Sequence, residues 1–312
     1  MLSLEHVTKI YRLGAFGLQK LIAVRDVTFE IGEREIVSLI GESGSGKSTI
    51  GKLILRLIPL TSGRICFEGT DVSTLNGRSL KEYYRKVQGV FQDPFASFNP
   101  IFKADRIFRM IREEFYPGMN AREWSEKVEG ALRAVGLNPP DVLNKFPHQL
   151  SGGQLQRFLV ARALLLDIRL LIADEIISML DASTRVDVLN LLADLKARGL
   201  SILFITHDLS LGYYISDRAV ILYRGRIAEM GPTDRVYNYP LHPYTEMLME
   251  AVPRLDRKWD EEIRVEREGE LASMAVTGCV YASRCPKAID ICKEQEPELK
   301  EAEAGHFVAC WA

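Results

Sequence analysis

Residues 35–58 read EIVSLIGESGSGKSTIGKLILRLI, and this stretch decides the fold. EIVSLI is a short apolar run of strand type, and GESGSGKST (41–49) fits G-x-x-x-x-G-K-(S/T), with Gly41, Gly46, Lys47 and Ser48 at the fixed positions. Behind it, Ile50, Leu53, Ile54, Leu57 and Ile58 recur at helical spacing, predicting an amphipathic helix that ends at Pro59. A glycine-rich turn between strand and helix points successive backbone N–H groups at phosphate oxygens, and the helix start adds its positive end. Gly41, Ser43, Gly44, Gly46, Lys47, Ser48 and Thr49 are therefore candidate phosphate-binding residues, with Lys47 reaching the β- and γ-phosphates of a nucleotide and Ser48 able to ligate Mg²⁺.

Working outward, residues 170–181 read LLIADEIISMLD. Four apolar residues run into Asp174 and Glu175, and SILFIT (201–206) is a second continuous apolar run. Both have the character of strands buried on two faces of a parallel sheet. The segment 184–198 between them is helical in pattern and stops at Gly199. Strand–helix–strand order predicts an α/β fold with right-handed crossovers. In such folds a neighbouring strand ends beside the cradle, so Asp174 can hold Mg²⁺ and Glu175 can orient or deprotonate a water. The alternative is that both acids cap the next helix.

The 312 residues carry a net charge of −2, with 47% hydrophobic and 26% charged residues, an ordinary globular composition. This balance gives no bulk basic field for nucleic acid or an anionic membrane. The most apolar stretch, 158–173, is interrupted by Arg162, Asp167 and Arg169 and is too short to span a bilayer. No secretory signal is evident at the start. The run RLDRKWDEEIRVEREGE (254–270) reads as a charged linker to a cysteine-rich end. Of five cysteines, Cys66 is expected to be a small buried residue, and Cys279, Cys285, Cys292 and Cys310 cluster near the C-terminus.

LSGGQLQ (150–156) is by itself a weak anion-binding signal, but it follows the cradle and begins its serine 19 residues before the acid-tipped strand. With FQDP (91–94), SMLD (178–181), ITHD (205–208) and Tyr11 in KIYRL, these motifs occur in the order of the ATP-binding-cassette (ABC) ATPases, which the chain resembles over residues 1 to about 250. The resemblance implies a P-loop RecA-like core with an antiparallel β-subdomain, a helical subdomain over about 93–165 and, at 251–312, a small cysteine-rich extension. It implies two cassettes arranged head to tail around two ATP molecules. Tyr11 would stack on adenine. Ser48, Gln92 and Asp174 would position Mg²⁺ and the attacking water, Glu175 would be the general base, and His207 would contact the γ-phosphate. Ser151, Gly152, Gly153, Gln154 and Asp181 would face the ATP of the opposite cassette. The usual family pattern after the paired acids is Pro-Thr-Ser-Ala-Leu-Asp. Here Ile176, Ile177 and Met179 replace three of those residues, and Ile176 in place of proline is expected to loosen the turn that aims Glu175.

QDPFASFNP (92–100), YPLHPYTEMLMEAVP (239–253) and the tail GCVYASRCPKAIDIC…GHFVACW are similar to the ATP-binding subunits of oligopeptide and dipeptide importers. That resemblance implies two membrane permease subunits, an extracellular substrate-binding protein, a like or paralogous partner cassette and a peripheral place on the cytoplasmic side of the membrane. Relatives in the group also move oligosaccharides or nickel. A soluble, non-transport ABC ATPase is a further alternative, but the long coiled-coil insertion or second cassette usual there is absent. The cysteine spacing is C-x5-C-x6-C-x17-C. Four thiolates can hold a 4Fe–4S cluster or a zinc ion, or pair as two disulfides. A cytosolic setting disfavours disulfides, and the close C-x2–4-C pairs usual for zinc are missing. Some peptide-importer relatives carry an iron–sulfur cluster in this extension, and the spacing is similar.

Overall fold

The computed structural model describes residues 1–14, 19–178, 180–251 and 277–312. Residues 15–18, Met179 and the charged run 254–270 lie outside the described residues.

The centre is an eight-stranded sheet. From one edge, Val87–Val90, Leu170–Asp174, Ser201–Thr206, Ile36–Ile40 and Arg218–Tyr223 run parallel. Leu170–Asp174 and Ser201–Thr206 are buried along their whole length, as continuous apolar runs in a two-faced parallel sheet must be. The helix between them spans Ala182–Ala197 and stops where Gly199 takes a left-handed conformation, φ 106°.

The helix behind the cradle is shorter than its periodicity suggests. It runs Lys47–Ile54, and Leu57 is 57% exposed. Arg56 turns left-handed at φ 53°, and the Leu57 N–H donates back to the Lys52 carbonyl at 2.9 Å. This local C-terminal cap overrides the apolar repeat before Pro59 is reached.

A second, antiparallel sheet holds Leu2–Leu13, Gln19–Ile31, Ser62–Phe67 and the short Thr70–Asp71. Cys66 lies in it and is only half-buried. Side chains alternate along a strand, and the inward positions here belong to Ile65 and Phe67. The helical part contains Arg106–Phe115, Ala121–Ala134, Pro139–Val142 and Gly152–Leu164. Phe108 stacks on Phe158 at 4.4 Å between ring centroids, locking the first of these helices to the last.

Residues 277–312 return to the central sheet. His306–Val308 pairs antiparallel with Arg226–Pro232, and Lys300–Glu303 adds the outermost strand. At this junction Glu229 and His306 are both fully buried, with His306 Nε2 at 2.6 Å from Glu229 Oε1. The same carboxylate accepts from the Leu241 and His242 N–H groups at 3.0 and 2.9 Å. Among the described residues no helix is long and apolar enough to cross a membrane.

Candidate functional site

The central strand Ile36–Ile40 delivers the chain to Gly41, where a Cβ would stand 2.1 Å from the Leu222 carbonyl oxygen. At Gly46, φ is 106° and a Cβ would meet the Ala23 carbonyl at 2.3 Å. Only glycine permits this close approach of backbone to backbone. Lys47 is buried, and its Nζ donates to the Gly41 and Glu42 carbonyls at 2.7 and 2.8 Å. Burial pulls its pKa down, against the opposing charges of Glu175, Asp174 and Glu42.

Three parallel strands end around this turn. Ser48 Oγ donates to Asp174 Oδ1 at 3.1 Å. Asp174 is buried, and desolvation pushes its carboxyl up while the Ser48 bond pulls it down. A hydroxyl beside a buried carboxylate is a hard oxygen donor set, which fits Mg²⁺. His207 follows the strand Ser201–Thr206, and its Nδ1 lies 3.1 Å from Glu175 Oε1. The sequence-expected set Lys47, Ser48, Asp174, Glu175 and His207 is thus brought together at one end of the sheet.

Glu175 sits at φ 49°, in the left-handed region. Its N–H donates to the Ile205 carbonyl at 2.9 Å, and its own carbonyl accepts from Ser178 N–H and Ser178 Oγ at 3.1 and 2.9 Å. Ile176 and Ile177 are 1% and 2% exposed, inside the largest core cluster. Three hydrogen bonds and two buried isoleucines hold this turn. The capping alternative for the paired acids falls away. The following helix is capped by Asp181, which accepts from Thr184 N–H, Ser183 Oγ and Thr184 Oγ1 at 3.0, 2.6 and 2.8 Å. Those bonds, Ser183's first, hold its carboxyl below the ordinary range.

Gln92 is exposed just past the end of Val87–Val90, whose Val90 is in register with Ala173 of the acid strand. Tyr11 pairs with Leu21, on the strand whose Ala23 closes over Gly46, and the Lys9 ammonium lies 5.0 Å above its ring. Ser151 caps the helix Gly152–Leu164, bonding reciprocally with Gln154 at 3.1 and 2.9 Å. A Cβ at Gly153 would stand 2.8 Å from Thr184 Cγ2, so this helix start packs on the Asp181 turn. Its partners within the chain are there, and none of them is a cradle residue.

The four C-terminal cysteines are free thiols that converge. Burial raises the Cys279 pKa, and Cys292, Cys310 and Cys285 each add to the rise. Among the described residues no group of three or more His, Cys, Asp or Glu side chains is arranged to hold a metal ion.

Tyr244 was not legible as part of the site. Fully buried, it accepts a hydrogen bond on its hydroxyl from the Glu42 N–H at 3.1 Å. HPYT (242–245) marks a helix start in the sequence, and nothing in it signals a contact some two hundred residues back.

Residues 24–178 match the family model described as ABC transporter, and residues 228–292 match that of the oligopeptide/dipeptide transporter C-terminal region. A peptide import ATP-binding protein of Brucella ovis is 43% identical, the alignment covering 99% of this chain and 97% of the relative. The oligopeptide transport ATP-binding protein AppF of Bacillus subtilis is 42% identical, over 99% and 96% of the two chains. Among solved structures, the dimeric post-hydrolysis state of the ATP-binding cassette MJ0796 bound to ADP and phosphate aligns with a TM-score of 0.67 and 29% identity, over 75% of this chain and 99% of that one.

Proposed function

This chain belongs to the ABC transporter ATP-binding subunits of the oligopeptide and dipeptide importers, and we propose that it hydrolyses ATP at residues 41–49 and 174–175 to drive peptide uptake through separate permease subunits. The observation that carries this reading is the meeting of Lys47, Ser48, Asp174, Glu175 and His207 at the ends of three adjacent strands. Relatives named for peptide transport favour this cargo over oligosaccharide or nickel.

The backbone of Gly44, Gly46 and Thr49 cradles the phosphates, and Lys47 exchanges its carbonyl partners for phosphate oxygens. Ser48, Asp174 and Gln92 would hold Mg²⁺, which supplies positive charge to the phosphate oxygens when bound. Glu175 takes the proton of the attacking water, and His207 holds that carboxylate on one side while facing the γ-phosphate. Ser151, Gly152, Gly153 and Gln154 serve the ATP of a second cassette, because none of the partners of the helix start they form is a cradle residue. Asp181 contributes to that contact by holding the turn beside them. Tyr11 provides the adenine face.

A second cassette, identical or paralogous, completes the site head to tail. Two permease subunits and an external substrate-binding protein complete the transporter, which places this chain on the cytoplasmic side of the membrane. Cys279, Cys285, Cys292 and Cys310 would together hold a 4Fe–4S cluster, which four cysteine thiolates can ligate. Its role would be structural, to staple the extension to the sheet edge. Anaerobically purified protein that is colourless and iron-free would overturn the cluster. For the transport reading, the test is peptide uptake into vesicles holding the permeases and this subunit. Uptake that persists with Glu175→Gln, or without ATP, would overturn it.

A further inference from the structure

The cysteine-bearing loop reaches the phosphate cradle directly. Arg284, next to Cys285, places Nη1 at 3.1 Å from Glu42 Oε2 and Nη2 at 3.2 Å from Glu42 Oε1, a two-pronged pair. Glu42 is the second residue of the cradle, and every polar group it has is engaged. Its carbonyl accepts from Lys47 Nζ and from the Ser45 N–H, its N–H donates to Tyr244, and its carboxylate takes Arg284. Behind this junction Tyr223, Tyr244 and Tyr281 pack ring to ring with centroids 4.5–5.4 Å apart. Tyr281 comes from the cysteine loop, Tyr244 from the helix Pro243–Glu250, and Tyr223 from the strand whose Leu222 carbonyl presses on Gly41. The first turn of the cradle therefore rests on residues supplied by the last third of the chain.

We propose that Arg284 is a positioning residue for ATP binding: through Glu42 it fixes the first turn of the cradle, so that the cysteine-bearing loop sets nucleotide affinity. The proposal rests on residues 41–49 being an ATP site. Arg284 bonds to neither Glu175 nor His207, so its loss should act on binding and leave the chemical step alone. The Arg284–Glu42 pair is partly exposed, and pairs of that kind convert to an effect of up to about fivefold in affinity.

The test uses the full chain, a fluorescent ATP analogue and Mg²⁺. Arg284→Ala and Glu42→Gln should each raise Kd by up to about fivefold, and Arg284→Ala should leave kcat at saturating ATP unchanged. The double variant should be no worse than either single one, and Arg284→Lys should recover part of the loss. A lost structural support would instead lower the active fraction and the melting temperature without this split. Unchanged Kd in both single variants, or losses that multiply in the double variant, would overturn the proposal. If Lys47→Ala binds the analogue as well as the wild type does, the ATP site itself fails and the proposal with it.

Discussion

Replacing Glu229 by alanine should destabilise the protein far more than an ordinary surface change. In the structure this fully buried carboxylate takes three donors: Leu241 N–H at 3.0 Å, His242 N–H at 2.9 Å and His306 Nε2 at 2.6 Å. Each buried donor left without an acceptor costs about 1–3 kcal/mol. Breaking a buried charged contact by removing one partner costs about 3–5 kcal/mol as a whole, which we take as the expected loss. For a chain of this size that corresponds to a fall in melting temperature of about 10 °C. Glu229→Gln keeps one oxygen acceptor and should lose less. The assay is thermal unfolding by circular dichroism, with limited proteolysis to follow the strand His306–Val308. Release of that strand should precede global melting in Glu229→Ala. A melting point within about 2 °C of wild type, with the strand still protected, would refute the reasoning.

Glu175→Gln should bind ATP normally while phosphate release falls by about 10²- to 10⁴-fold; unchanged turnover would remove Glu175 as the base. His242 is buried and its pKa is pulled by desolvation from 6.5 to about 4. A group whose folded pKa is depressed adds stability above its unfolded pKa and loses it as pH falls, so the melting temperature should drop between about pH 6.5 and 4. His242→Asn, which can still cap the helix Pro243–Glu250, should flatten that drop in thermal scans across pH. Gly41→Ala would put a Cβ 2.1 Å from the Leu222 carbonyl. Overpacking of this kind costs about 1–3 kcal/mol, and equilibrium titration should show ATP affinity reduced by about fivefold or more.

The cradle and the acid strand are legible because their physics is local. Glycines at fixed spacing, a lysine and a helix start are set by residues within one turn of each other, and an apolar run ending in two acids declares both its burial and its exit. Helix length is read less well: the repeat through Leu57 and Ile58 is real, but a left-handed Arg56 ends the helix first. The contacts around Ile176 are not readable from pattern alone, since a missing proline says nothing about Ser178 bonding back to Glu175 or about the core beneath. Contacts such as Tyr244 to Glu42, or Glu229 to His306, join segments far apart in sequence, and no spacing rule encodes them.

The late pairing of His306–Val308 with Arg226–Pro232 also has a consequence for synthesis. As the chain leaves the ribosome, the five parallel strands and their antiparallel neighbour are complete long before residue 306 emerges. During that interval Arg226–Pro232 is an open edge with unpaired backbone groups, a template for joining another nascent chain. The tail that closes it also carries His306 to Glu229, so one late event both blocks the edge and gives a buried carboxylate its third hydrogen-bond donor. Slow translation or a premature stop in the last stretch would leave a folded cassette with a sticky side.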